Sequence, residues 1–216
     1  MAGHISALRF QKRTSERVNV FLDGSYAFAL PATVAAGLRP GQDLSDEDIA
    51  RLKALDEQER AYERCLRFLA YRPRSTAEVR RYLERRELPE SVIDSAIERL
   101  TAANYLDDEA FARFWVSDRE RFSPKGPMAL RYELRQKGIA EGVIAEVLKS
   151  VNTDESAYRA GLSRARRLAN QDERAFRQKL GGHLLRRGFT HEQVWPVVER
   201  LWLETQHSDS EDEDAP

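Results

Sequence analysis

A period of about fifty residues limits this chain's fold more than any other feature, because self-similarity at such a spacing means stacked copies of one small unit. The stretches "YLERRELPESVIDSAIERL" from Tyr82, "ELRQKGIAEGVIAEVLKSV" from Glu133 and "HLLRRGFTHEQVWPVVERL" from His183 align on Glu87, Gly138 and Gly188, 51 and 50 residues apart. An apolar residue follows each anchor (Leu88, Ile139, Phe189), and a leucine stands four before it (Leu83, Leu134, Leu184). Further on, Ile93, Ile144 and Trp195, then Ile97, Leu148 and Val198, mark a shared apolar face. Each copy is a helix, a short turn and a second helix whose apolar positions recur at spacings of three and four. Gly138 and Gly188 suit the left-handed backbone that ends many helices, whereas Glu87 should close its helix less favourably. Another helical stretch precedes each pair: "ERAYERCLRFLAY", "DEAFARFWVSDRERF" and "ESAYRAGLSRARRLA". Three three-helix repeats result, separated by the breaker-rich "RPRST", "SPKGP" and "NQDE".

The first 55 residues follow a different pattern. "RVNVFLDGSYAFAL" holds two β-rich runs joined by Asp23-Gly24, a dipeptide suited to a tight hairpin turn. "ISALRFQK" offers a third strand, "PATVAAGL" a short helix closed by Gly37, and "SDEDIARL" opens a helix with Ser45 as cap and Asp48 in capping-box position. The expected fold is mainly α: three tandem three-helix repeats in an elongated array, preceded by a small β-hairpin-containing unit. The expected divisions are 1–55, 56–106, 107–152, 153–205, and a disordered acidic tail over 206–216. A charged fraction of 33% and a mean hydropathy of -0.63 agree with thin elements that show much of their circumference to water.

The motif most suggestive of chemistry is "NYLDDEAFARFW", where Asp107, Asp108 and Glu109 stand together. Architecture explains it better. Asn104 ends one helix, Asp107 or Asp108 caps the next, and Phe111, Phe114 and Trp115 face its core. Tyr105, Leu106, Asp107 and Asp108 thus form a joint between repeats, and with Gly138 and Gly188 they are assigned structural roles. The histidines at 4, 183, 191 and 207 lack zinc-ligand spacing, and Cys65 sits at helical spacing beside Leu66 and Leu69 as a core thiol. No phosphate-binding loop or nucleophile elbow occurs. No catalytic, metal-binding or cofactor-binding residue is expected, nor an enzyme. No apolar run reaches the roughly 18 residues of a membrane span, and the start lacks the apolar core of a secretory signal, so a cytoplasmic location without a membrane partner is expected.

The basic residues say more. Candidates for partner binding are Arg72, Arg74, Arg80, Arg81 and Arg85 in the first repeat; Lys125, Arg131, Arg135 and Lys137 in the second; and Arg177, Arg186 and Arg187 in the third. Arginine suits bidentate grip on carboxylate or phosphate, although acids such as Glu78, Glu84 and Glu133 are placed to pair with some of these. The net charge is -1, but "QHSDSEDEDAP" alone holds five acids, and without them the body stands at +4. A modestly basic body fits polyanions or acidic partners.

Tandem three-helix repeats, with "YLDDEAFA" joining the first to the second and "YELRQKGIAEGVIAEVL" ending the second, resemble the RecX family, bacterial regulators of the recombinase RecA. The resemblance spans roughly Asp56 to Leu203, and the front end is similar to an extension that some members carry. Asn104 stands where glycine is usual. Ala129 replaces a common basic residue, so a contact through that side chain is not carried over. The resemblance implies a monomeric regulator in DNA repair, recombination and the SOS response. Such a protein binds RecA filaments on DNA along their groove, with weak non-specific DNA contact, and restrains ATP hydrolysis, strand exchange and co-protease activity without a cofactor. The competing reading is direct helix-turn-helix DNA binding, which three-helix units also resemble. Against it, "PESVIDSAIERL" and "AEGVIAEVLKSV" carry few groups able to address base edges.

Overall fold

The computed structural model describes residues 2–12 and 14–212. They divide into two compact units, one running up to Arg74 and including Val79–Leu106, the other comprising Ser75–Glu78 and the chain from Asp107 on. The first unit opens with an antiparallel sheet of β1 (Gly3–Gln11), β2 (Thr14–Leu22), β3 (Ser25–Pro31) and β4 (Asp43–Leu44), in the order β3-β2-β1-β4. Asp23 and Gly24 both take positive φ at the β2–β3 turn, as the dipeptide predicts. The two-residue β4, which pairs with Gly3 and His4, has no pattern long enough to be read from sequence.

After α1 (Ala32–Ala35), Ser45 and Asp48 form the expected reciprocal capping box at the start of α2 (Asp46–Leu69). The boundary expected at residue 55 falls inside this 24-residue helix, because no glycine or proline interrupts it. Its first turns send Ile49 and Leu52 into a core with Ile5, Val18, Val20, Phe28 and Leu30. Its last turns send Ala61 and Cys65 into the first repeat. Between them Asp56 accepts Arg17 Nη2 at 2.5 Å and Arg60 Nε at 2.9 Å, an ion pair that ties the sheet to the helix.

The remaining helices follow the predicted period: α3 (Thr76–Glu84) and α4 (Glu90–Ala102); α5 (Asp108–Phe122), α6 (Pro127–Gln136) and α7 (Glu141–Leu148); α8 (Thr153–Arg166), α9 (Glu173–Arg186) and α10 (His191–Asp212). Each repeat buries its own small core, centred on Leu83, Ile93 and Leu100, on Leu130, Leu134 and Ile144, and on Phe176, Leu180 and Leu184. Two expected core residues are misplaced. Phe114 is 48% exposed while Ala112 and Val116 are buried, because residues 111, 112, 115 and 116 share one arc of α5 and 114 lies outside it. Trp195 is 45% exposed; Val194, which stands as far past Gly188 as Ile93 and Ile144 do past their anchors, is the buried residue. The expected disordered tail from 206 is helical through Asp212, since extending a helix already anchored by packing fixes one residue per hydrogen bond gained. The tail's last four residues lie outside those described.

Within the second unit, two contacts are built alike. Ser75 Oγ donates to Lys137 O at 2.6 Å beside an ion pair of Lys137 with Glu78 at 3.0 Å. Fifty residues on, Gly126 N donates to Arg187 O at 2.9 Å and Met128 N to Gly188 O at 3.3 Å. In both, the start of a repeat's middle helix meets the turn that ends the next repeat's middle helix. The turn glycines serve twice. Gly138 and Gly188 hold φ of 80° and 86°, and a Cβ on them would lie 2.3 Å from Ala77 Cβ and 2.5 Å from Ala129 Cβ. Glu87 takes the same left-handed backbone at φ 57° but is exposed, so its side chain has room.

Candidate partner-binding surface

Each of the three adjacent acids is engaged in a helix cap or an ion pair. Asp107 Oδ1 accepts from the N–H groups of Glu109 and Ala110, both at 2.9 Å, and caps α5. Asp108 Oδ1 accepts from Thr76 N at 2.8 Å, so it caps α3, a partner 32 residues away that spacing does not reveal. Glu109 pairs with Arg113 along the helix. Asn104 takes φ 58° and Tyr105 N reaches back to Leu100 O at 2.8 Å, closing α4, while Leu106 is buried and Tyr105 is exposed. Among the described residues no group of three His, Cys, Asp or Glu is placed to hold a metal. Burial pushes the Cys65 thiol up to about 11, far from a nucleophile's range.

The twelve basic candidates separate into two sets. One set holds the fold. Arg74 donates to Phe68 O at 3.0 Å and lies 3.5 Å above the Phe68 ring. Arg80 bridges Glu90 and Asp94 of α4, and Arg177 bridges Glu173 and Glu199 at 2.7 and 2.6 Å. Lys125 and Arg119 converge on Glu133, which also accepts Trp115 Nε1 at 2.8 Å. Burial alone would raise the Glu133 carboxyl, but these donors outweigh it and hold it below its ordinary range. Lys137 and Arg187 belong to the two glycine turns, Arg187 Nη1 donating to Pro124 O at 3.0 Å.

The other set faces water: Arg72, Arg81, Arg85, Arg131, Arg135 and Arg186. Two of them share a feature that a search for charge alone misses. On α6, Leu130 and Leu134 point into the core, while Met128, Arg131, Tyr132 and Arg135 occupy the opposite arc. Met128 is 56% and Tyr132 65% exposed. With Pro127 these four line a shallow concavity of about 360 Å³. Glu141 accepts from Arg135 Nε at 2.8 Å and Arg131 Nε at 3.3 Å, which fixes both guanidinium groups beside the rim; the hydrogen bond from Arg135 is the main cause holding Glu141 below the usual carboxylate range. The sequence signal was present, since apolar residues at 128 and 132 are out of phase with the core leucines.

Comparison with known proteins accounts for both the sheet and the repeats. Residues 3–45 match the regulatory protein RecX N-terminal domain, and residues 61–100, 107–148 and 152–198 match the first, second and third three-helix domains of RecX. Regulatory protein RecX of Bacillus subtilis is 34% identical over 206 residues, covering 93% of this chain and 78% of the relative. That of Halalkalibacterium halodurans is 32% identical over 219 residues, covering 97% and 81%. A crystal structure of regulatory protein RecX superposes with a TM-score of 0.76 at 32% identity, covering 93% of this chain and 100% of the other. A second, of RecX from Lactobacillus salivarius, gives 0.62 at 25% identity over 68% and 98%. With four domains in register and identity sustained across most of its length, the chain belongs to the RecX family of regulatory proteins.

Proposed function

We propose that this chain acts as a cytoplasmic monomer that binds RecA filaments on DNA and restrains their ATP hydrolysis, strand exchange and co-protease activity, in DNA repair, recombination and the SOS response. The exposed face of α6 is the observation that carries this reading. Met128 and Tyr132 flanked by two arginines have the composition of an interface anchor, a Tyr–Met–Arg cluster around a small depression. Glu141 holds Arg131 and Arg135 in place, so little side-chain freedom is lost when a partner carboxylate or phosphate arrives. Arg81, Arg85 and Arg186 supply further exposed cations for steering. The helix-turn-helix alternative is weaker, because α7, the last helix of the second repeat, exposes few groups able to address base edges.

Single-stranded-DNA-dependent ATP hydrolysis by the host RecA tests the proposal. The chain should inhibit it at concentrations comparable to the recombinase, and the double variant Met128→Ala/Tyr132→Ala should need about tenfold more protein, an anchor being worth about 1.4 kcal/mol or more. Absence of inhibition by the unaltered chain refutes the function; undiminished inhibition by the variant refutes the α6 face alone. Tight binding to duplex DNA without recombinase would favour the alternative.

A further inference from the structure

The described residues contain two sulfur atoms, in Cys65 and Met128, and the fold treats them oppositely. Resting on the reading of the α6 face given above, we propose that Met128 is a modification site, at which a hydroperoxide oxidises the thioether to the sulfoxide and loosens the chain's hold on its partner. Cys65 is fully buried in the core of the first repeat, and burial pushes its thiol up to about 11, so an oxidant finds neither access nor thiolate there. Met128 is 56% exposed in the first turn of α6, and a thioether needs no deprotonation before it reacts.

The reaction changes the centre of the α6 face. Met128 lines the shallow concavity together with Pro127, Arg131, Tyr132 and Arg135, and its backbone N–H donates to Gly188 O at 3.3 Å, which ties the residue to the glycine turn. Arg131 and Tyr132 follow it by three and four residues, a spacing that brings helix side chains within reach of one another. A sulfoxide oxygen is a hydrogen-bond acceptor, so it competes for the guanidinium and hydroxyl that would otherwise meet a partner's acid. It also turns an apolar anchor polar, and burying that polar group in an interface costs desolvation. Both effects weaken binding. In the chemical step the sulfur lone pair attacks one peroxide oxygen, the O–O bond breaks and an S–O bond forms. The attacked hydroxyl passes its proton to the departing hydroxide, which leaves as water; sulfur is oxidised by two electrons and the peroxide reduced by two. A methionine sulfoxide reductase reverses the change.

The test treats the full chain with dilute hydrogen peroxide, removes the peroxide with catalase, and then measures inhibition of single-stranded-DNA-dependent ATP hydrolysis by RecA. Mass spectrometry should show one oxygen added to the peptide that carries Met128 while Cys65 stays reduced. The oxidised chain should need about tenfold more protein for the same inhibition, and methionine sulfoxide reductase should restore both the peptide mass and the inhibition. Met128→Leu, which keeps an apolar side chain without sulfur, should inhibit equally before and after peroxide, and Met128→Gln should inhibit as poorly as the oxidised chain. Circular dichroism checks that each variant is folded, and recovery by the reductase needs no variant. Met128 left unmodified, oxidation without loss of inhibition, or an equal peroxide effect on Met128→Leu overturns the proposal. If the untreated chain fails to inhibit, the RecA reading falls and the proposed release falls with it; inhibition that survives oxidation overturns the release alone.

Discussion

Replacing Gly188 by alanine should destabilise the second unit by about 2–4 kcal/mol. A β-carbon at φ 86° costs about 1–2 kcal/mol, partly offset by about 0.4–1 kcal/mol because alanine has fewer unfolded conformations to lose. The larger part is steric. The new atom would stand 2.5 Å from both Ala129 Cβ and Ala129 N, so α6 must shift, at about 1–3 kcal/mol for overpacking. That shift also strains the bonds from Met128 N to Gly188 O at 3.3 Å and from Gly126 N to Arg187 O at 2.9 Å. Trp115, Trp195 and Trp202 all lie in the second unit, so tryptophan fluorescence in urea reports on it, and its midpoint should fall by about 1–2 M. Asparagine separates the two costs, since it tolerates left-handed backbone but still carries a β-carbon. Gly188→Asn should therefore remain destabilised. Gly142→Ala is the control: on α7, with nothing within 4 Å of its β-carbon, it should stabilise by about 0.5–1 kcal/mol. An unchanged midpoint for Gly188→Ala, or full rescue by asparagine, would refute close packing at this turn.

Asp107→Ala removes the acceptor of two α5 N–H groups and should cost about 1–2 kcal/mol in the same urea assay; a loss below experimental error would mean that the cap does not stabilise α5. Glu133 titrates below its ordinary 4.5 in the folded chain, so its contribution is complete above that pH and disappears as pH falls through the depressed folded value. Glu133→Gln should lower stability at neutral pH by about 1 kcal/mol after solvent screening, and should flatten the acid limb of the stability profile below pH 4.5. A profile with the same acid slope would mean that the Lys125–Arg119–Trp115 cluster does not discriminate between the charged and neutral carboxyl.

The helical order was legible because period and breakers are local quantities. A leucine four before each turn, an apolar residue just after it, and glycine or asparagine at the helix ends are set by backbone geometry that neighbours hardly alter. Side-chain assignment within a helix was less secure. Phe111, Phe114 and Trp115 stand at apolar spacing, yet packing turns the arc that carries Ala112 and Val116 inward and leaves Phe114 outside it. The basic residues show the same limit: adjacent Arg80 and Arg81 look alike in sequence, but Glu90 and Asp94 come within reach of Arg80 once α4 folds back, and Arg81 stays on the surface.

From sequence alone, then, came the three repeats, their turns, the hairpin, the capping box and the family resemblance, all of which depend on residues near one another or on a fixed period. Only tertiary structure decided that α2 serves two cores, that Asp108 caps α3, that the turn glycines admit a neighbouring backbone, and which arginines stay at the surface. Each of these depends on a distance between residues far apart in the chain, and such distances are set by packing, which no local pattern encodes.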